Sequence, residues 1–127
     1  ADTDVLIDFL AGRGSAAARV ASELEAGSLA TTAVSRFELL AGVRTERQRA
    51  LVGDLLAALP TLPLDQGAAD EAAAVRRELE AEGQGIGMAD SLIAGIVRHR
   101  RGVLLTRNRR HFERVPGLHL ALDPASS

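Results

Sequence analysis

Three carboxylates and one side-chain amide sit in four separated segments of this sequence, each beside an apolar run: Asp2, Glu38, Asp90 and Asn108. Thr106 adds a hydroxyl two residues before Asn108. Carboxylates brought together repel, and each raises its neighbours' pKa unless a cation lies between them. An all-oxygen donor set suits Mg²⁺ or Mn²⁺ and not zinc. Such ions, held by a few carboxylates, act on phosphate esters by activating water and stabilising the leaving oxygen.

Each residue also has an ordinary reading. Asp2 and Asp4 suit a turn or a helix N-cap. Glu38 completes a Ser35-x-x-Glu38 capping box. Asp90 suits the first turn of a helix, where the dipole favours negative charge. Thr106 and Asn108 are common turn residues. Asp8 reads as the solvated face of a short amphipathic helix. The joint pattern outweighs its members, because four independent ordinary roles would have to coincide at one rim. His99, His111 and His119 lack metal-ligand spacing, and His99 and His119 read as structural or surface residues. His111 lies one helical turn from Asn108, which leaves it open to a site role.

The elements that must position these residues alternate between strand and helix. The short apolar stretch Val5–Gly12 follows an Asp-Thr-Asp of the kind found at strand-to-helix turns. The expectation is that Asp2 ends a first strand whose earlier residues precede the sequence. A helix over Ser15–Ala26 stops at Gly27. A short strand over Leu29–Thr32 leads to a helix over Ser35–Ala41, stopped by Gly42. The next helix covers Thr45–Leu59 and ends at Pro60, before an extended Thr61–Leu64. The longest helix, Gln66–Glu82, carries Ala68, Ala72, Val75 and Leu79 on one face at helical spacing. A glycine-rich turn over Glu82–Gly87 precedes an amphipathic helix over Met88–Arg100. Gly102 then opens a strand over Val103–Thr106. A helical turn over Asn108–Glu113 and a last strand over Leu118–Leu122 complete the chain. Such alternation implies a parallel sheet covered on both faces, with chemistry beyond the carboxyl ends of its strands.

Composition narrows the chemistry. A chain of 127 residues, 46% hydrophobic and 25% charged, is a single domain of ordinary globular make-up. Its 23 alanines and 19 leucines favour helix. No charge-free run exceeds ten residues, too short to span a bilayer. Cysteine is absent, which excludes disulfides and thiol catalysis. All fifteen basic side chains are arginine, so Schiff-base and P-loop lysine mechanisms are excluded as well. With three phenylalanines as its only aromatics, the chain lacks the means to grip single strands mainly by base stacking. The net charge of −2 hides a basic stretch: residues 98–114 hold seven arginines and one acid, Glu113. Such a stretch can attract phosphates.

Four blocks carry a resemblance. Asp2-Thr3-Asp4-Val5-Leu6-Ile7 resembles the opening Asp-Thr-(Asn/Ser/Asp) block of the PIN domain (PilT N-terminus). Phe37-Glu38-Leu39-Leu40-Ala41-Gly42 resembles its Glu-Leu-x-x-Gly block, and Met88-Ala89-Asp90-Ser91-Leu92-Ile93-Ala94 its Asp-x-x-Ile-Ala block. Leu105-Thr106-Arg107-Asn108-Arg109-Arg110-His111-Phe112 resembles the closing Thr-Arg-Asn block that ends in Phe. The blocks run in family order through nearly the whole chain and look most like the bacterial VapC toxins.

The resemblance implies a three-layer α/β/α domain with a central parallel sheet and metal-dependent endoribonuclease activity. Asp2, Glu38 and Asp90 match the acidic ligands of a Mg²⁺ or Mn²⁺ ion. Asn108 matches a fourth polar position that is often Asp, and Thr106 the hydroxyl beside it. Arg107, Arg109 and Arg110 are close enough to help neutralise an RNA backbone. The resemblance further implies a VapB-type antitoxin that obstructs the site, a homodimer formed through apolar helix faces, and a cytoplasmic location. The candidate dimer faces are the Ser35–Leu59 helices and the Gln66–Glu82 helix. One departure is visible: many relatives carry an acid before the last Phe, where this chain has His111.

Two rival enzymes fail on one residue type. A haloacid-dehalogenase-like phosphatase would use Asp2-Thr3-Asp4 as nucleophile and acid, and a response-regulator receiver has a similar acidic site. Both need a lysine. The remaining rival is a catalytically degenerate PIN-like module that binds RNA or a partner, against which the intact acidic trio argues.

Overall fold

The structure is a computed structural model that describes residues 1–121. Seven helices and four very short strands follow the predicted order among these residues. They are α1 (Thr3–Leu10), α2 (Ala17–Ala26), β1 (Thr31–Thr32), α3 (Ala33–Ala41), α4 (Glu46–Ala57), β2 (Thr61–Leu62), α5 (Gln66–Ala81), α6 (Met88–His99), β3 (Val103–Leu104), α7 (Arg109–Phe112) and β4 (His119–Leu120). The strands are half as long as the sequence pattern predicts, and Leu122 lies outside the described residues.

β1 pairs with β2 and β3 with β4, both in parallel. Ala1–Asp2 lies between the two pairs. Ala1 N donates to Ala30 O at 2.7 Å, and Asp2 N donates to Leu105 O at 2.9 Å. This extended dipeptide joins the pairs into one layer and leads at once into α1. Asp2 is thus both the last extended residue, at φ −73° and ψ 160°, and the N-cap of α1.

Helices cover both faces of that layer. Successive strand residues point to opposite sides, and Leu104 and Leu105 divide accordingly. Leu105 joins Val5, Leu6, Val20, Leu39, Val52, Leu55 and Leu56, which come from α1 to α4. Leu104 joins Val75, Leu79, Ile93, Ala94, Val97 and Phe112, from α5 to α7. This is the three-layer α/β/α arrangement with parallel strands at its centre.

Local chemistry sets the helix ends. Thr32, at the end of β1, caps α3 by accepting from Ser35 N at 3.1 Å. Glu38 therefore does not belong to a capping box begun by Ser35, which sits inside the helix and is buried. Gly27 ends α2 at φ 71°, as predicted. At the end of α6 the left-handed position falls on Arg101, φ 55°, and not on Gly102. Gly102 N then reaches back to Val97 O at 3.0 Å and closes the helix end. α5 and α6 pack so closely that a Cβ on Gly95 would lie 2.5 Å from the Ala72 backbone. Arg98 clamps the same pair by bonding Glu71, Glu78 and the carbonyl of Pro116.

Candidate functional site

The residues singled out by type and spacing meet at one end of the strand layer. Asp2 is buried, and each of its carboxylate oxygens accepts a hydrogen bond. Oδ1 takes Thr3 N at 2.7 Å, and Oδ2 takes the Thr106 hydroxyl at 2.8 Å. Thr106 Oγ1 in turn accepts from Asn108 N at 3.0 Å. Burial raises the Asp2 carboxyl above its ordinary pKa. The bonds from Thr106 and Thr3 oppose that shift, and the negative charges of Asp4 and Asp90 add to it.

Glu38 joins through hydroxyls that sequence reasoning passed over. Thr3 Oγ1, from the first turn of α1, donates to Glu38 Oε1 at 2.7 Å and lies 2.8 Å from Ser35 Oγ. The early cap at Thr32 starts α3 in a frame that turns Ser35 inward and leaves Glu38 exposed at the rim. The third carboxylate enters on α6. Asp90 Oδ2 lies 3.3 Å from His111 Nδ1, which lies 3.0 Å from the Asn108 side-chain amide. Thus Asp2, Thr106 and Asn108 form one bonded chain, and Glu38 is attached beside Asp2 through Thr3. His111 Nδ1 lies against both Asn108 and Asp90 and bonds one of them at a time, accepting from the amide or donating to the carboxylate.

Among the described residues, no three His, Asp or Glu side chains converge closely enough to form a ready-made metal-ligand set. The donors themselves still fit a hard cation: three carboxylates and an amide on one rim, one of the acids buried and its pKa raised by that burial.

The predicted arginines divide into different roles. Arg107 Nη1 bonds both oxygens of Asp8, at 2.9 and 3.1 Å, and its side chain is 61% exposed. Arg109 Nη1 donates to Ala121 O at 2.5 Å, and Arg109 pairs with Glu113, so it ties α7 to the last strand. Arg110 is exposed on α7. Asp8 corrects the sequence reading: it is buried at 5% exposure and not a solvated face. The readable signal was its spacing, since Asp4 and Asp8 share a helix face.

Comparison with known proteins identifies the family. The PIN domain family profile matches residues 1–118. The chain belongs to the PIN domain family. Within that family its similarity is to VapC proteins. It is 32% identical over 121 residues to a tRNA(fMet)-specific endonuclease VapC of Shigella flexneri, covering 92% of this chain and 91% of the relative. It is 35% identical over 118 residues to ribonuclease VapC19 of Mycobacterium tuberculosis, covering 92% and 94%. A chain of the DNA-bound VapBC crystal structure from Salmonella typhimurium superposes with a TM-score of 0.80 at 27% identity, over 91% of this chain and 89% of that one.

Proposed function

We propose that this protein is a divalent-metal-dependent endoribonuclease, the toxin of a VapBC-type pair, that hydrolyses RNA phosphodiester bonds. The observation that carries this reading is the gathering of Asp2, Glu38 and Asp90 on one rim, the first two tied together through Thr3 and the third close enough for its charge to act on Asp2. Similarity to relatives described as ribonucleases supports the choice of RNA over other phosphate esters.

Asp2, Glu38 and Asp90 would hold Mg²⁺ or Mn²⁺. When bound, the ion supplies a more acidic water and charge neutralisation at the scissile phosphate. The protein's own part is orientation. Thr106 and Thr3 each fix a rotamer of a site acid, Asp2 and Glu38. His111, with Nδ1–H turned to Asp90, would fix the third. Arg107 and Arg110 present positive charge beside the site to RNA phosphates. A cation brought to the buried Asp2 would favour its ionised form.

The same reading supplies a partner. The VapBC complexes among the structural neighbours support a VapB-type antitoxin for this chain. Two apolar clefts offer surface for an antitoxin and for a second copy. One, of about 320 Å³, lies among Ile7, Leu10, Leu39, Val43, Leu51 and Val52. The other, of about 330 Å³, lies among Val34, Phe37, Leu64, Met88 and Leu92, beside Glu38. No described helix is long and apolar enough to cross a membrane.

The test is digestion of total bacterial RNA by antitoxin-free protein with Mg²⁺, with Mn²⁺ and with EDTA, beside Asp90→Asn. Discrete products that need metal and vanish in the variant are expected. Cleavage that persists in EDTA or in Asp90→Asn would overturn the reading. So would tight RNA binding without cleavage, which would leave the degenerate binding module.

A further inference from the structure

The most unusual polar group outside the acidic chain is Asp8. It is a carboxylate at 5% exposure, four residues beyond Asp4 on α1, and the site chemistry does not use it. Its partner is 99 residues away in sequence: Arg107 reaches both of its oxygens through Nη1. Arg107 Nη2 lies 3.8 Å from Asp4, on the rim beside Asp2. A second arginine, Arg13, touches the same Asp8 Oδ1 at 3.4 Å through Nε. The backbone closes over the pair at Gly14, where φ is +89° and a Cβ would lie 3.0 Å from Asp8 Oδ2. A small cavity of mixed lining, about 120 Å³, lies against Asp8, Ser15, Leu105, Thr106, Arg107 and Arg109.

This arrangement costs the fold a buried charge, which is offset only by excellent pairing. Arg107 stands between Thr106, which holds Asp2, and Asn108, which touches His111. A guanidinium has five donors. Nη1 is committed to Asp8 and Nη2 lies near Asp4, while the side chain as a whole is 61% exposed and keeps further donors for a ligand. An arginine ordered in advance loses less freedom when it meets a phosphate.

We propose that Asp8 is a positioning residue: it holds the Arg107 guanidinium at the rim as a preformed contact for the RNA backbone next to the scissile phosphate. The inference rests on the ribonuclease reading above. Asp8 does not touch substrate; it acts through Arg107, and Arg107 acts through shape as well as charge.

The experiment is steady-state cleavage of the RNA species that total-RNA digestion identifies, with salt-dependent binding of the same RNA. The variants are Asp8→Asn, Arg107→Ala, Arg107→Lys and the double variant Asp8→Asn/Arg107→Ala. Arg107→Ala should raise KM roughly tenfold, the size of one charge-assisted contact, and lower the salt slope of binding by about 1. Asp8→Asn should raise KM in the same direction with kcat little changed. The double variant should match Arg107→Ala alone. Arg107→Lys, which keeps the charge and loses the fork, should recover only part of the loss.

Three results would overturn the proposal: a lower melting temperature for Asp8→Asn at unchanged KM, KM effects that multiply in the double variant, or tighter RNA binding by Asp8→Asn. The last would make Asp8 merely a charge that repels RNA. Wild-type protein that cleaves no RNA would overturn the ribonuclease reading and this inference with it. Wild-type cleavage with an unmoved KM would overturn this inference alone.

Discussion

At the scale of single residues, Asp2 joins two demands that pull apart. Its carboxyl is buried and its pKa raised, chiefly by that burial. In the unfolded chain the same group has its ordinary value. Between the two values the native state keeps a proton that the unfolded state has released. Stability should therefore fall as pH rises through that window. Asp2→Asn should flatten the dependence and be the more stable protein above it, while losing RNA cleavage. Urea unfolding midpoints measured from pH 4 to pH 7 in chelator would check this; an unchanged pH profile would contradict it. That Asp2, Glu38, Asp90, Thr106 and Asn108 lie near one another was legible because each follows or precedes an apolar run in the alternating strand–helix order, which carries them to one end of the strand layer. Thr3 and Ser35 were not legible as site residues, because a hydroxyl reads equally well as a helix cap. Asp8 was misread for a related reason: a buried acid looks like any surface acid until its partner, a distant arginine, is known.

At the scale of elements, the helices followed from periodicity and stop signals, while the strands came out at two residues each. Apolar runs mark where a chain is buried. They do not mark how many residues meet the hydrogen-bond geometry of a ladder. The α5–α6 pair shows a constraint that a hydrophobic pattern hides. Gly95 lies on the buried face of α6, and its missing side chain lets the helices approach. Gly95→Ala would normally favour a helix by about 1 kcal/mol. Here the added Cβ meets Ala72 backbone, which cannot yield as a flexible side chain does. The substitution should instead destabilise by about 1–3 kcal/mol. Thermal or chemical denaturation decides the sign; a stabilised Gly95→Ala would mean that the two helices part easily.

At the scale of the whole molecule, two apolar clusters share one thin layer of strands. Leu104 and Leu105 feed one cluster each, so the strand that delivers Thr106 depends on both. Leu104→Ala and Leu105→Ala should each cost about 2–5 kcal/mol. In both variants, probes placed on α2 and on α6 should melt together, as in one cooperative unit. Separate transitions would show that the two halves fold independently.

The alternation of Leu104 and Leu105 also bears on how this chain tolerates changes of length. In a strand the side-chain period is two, so a slip of one residue turns every side chain over. A single residue inserted between Leu104 and Leu105 would send both leucines to the same cluster. It would also turn the Thr106 hydroxyl away from Asp2. A reporter peptide or a recombination crossover placed there would disarm the protein even where it still folded. The exposed Gly83–Gly85 turn sets no such register, and is the better site for grafted sequence.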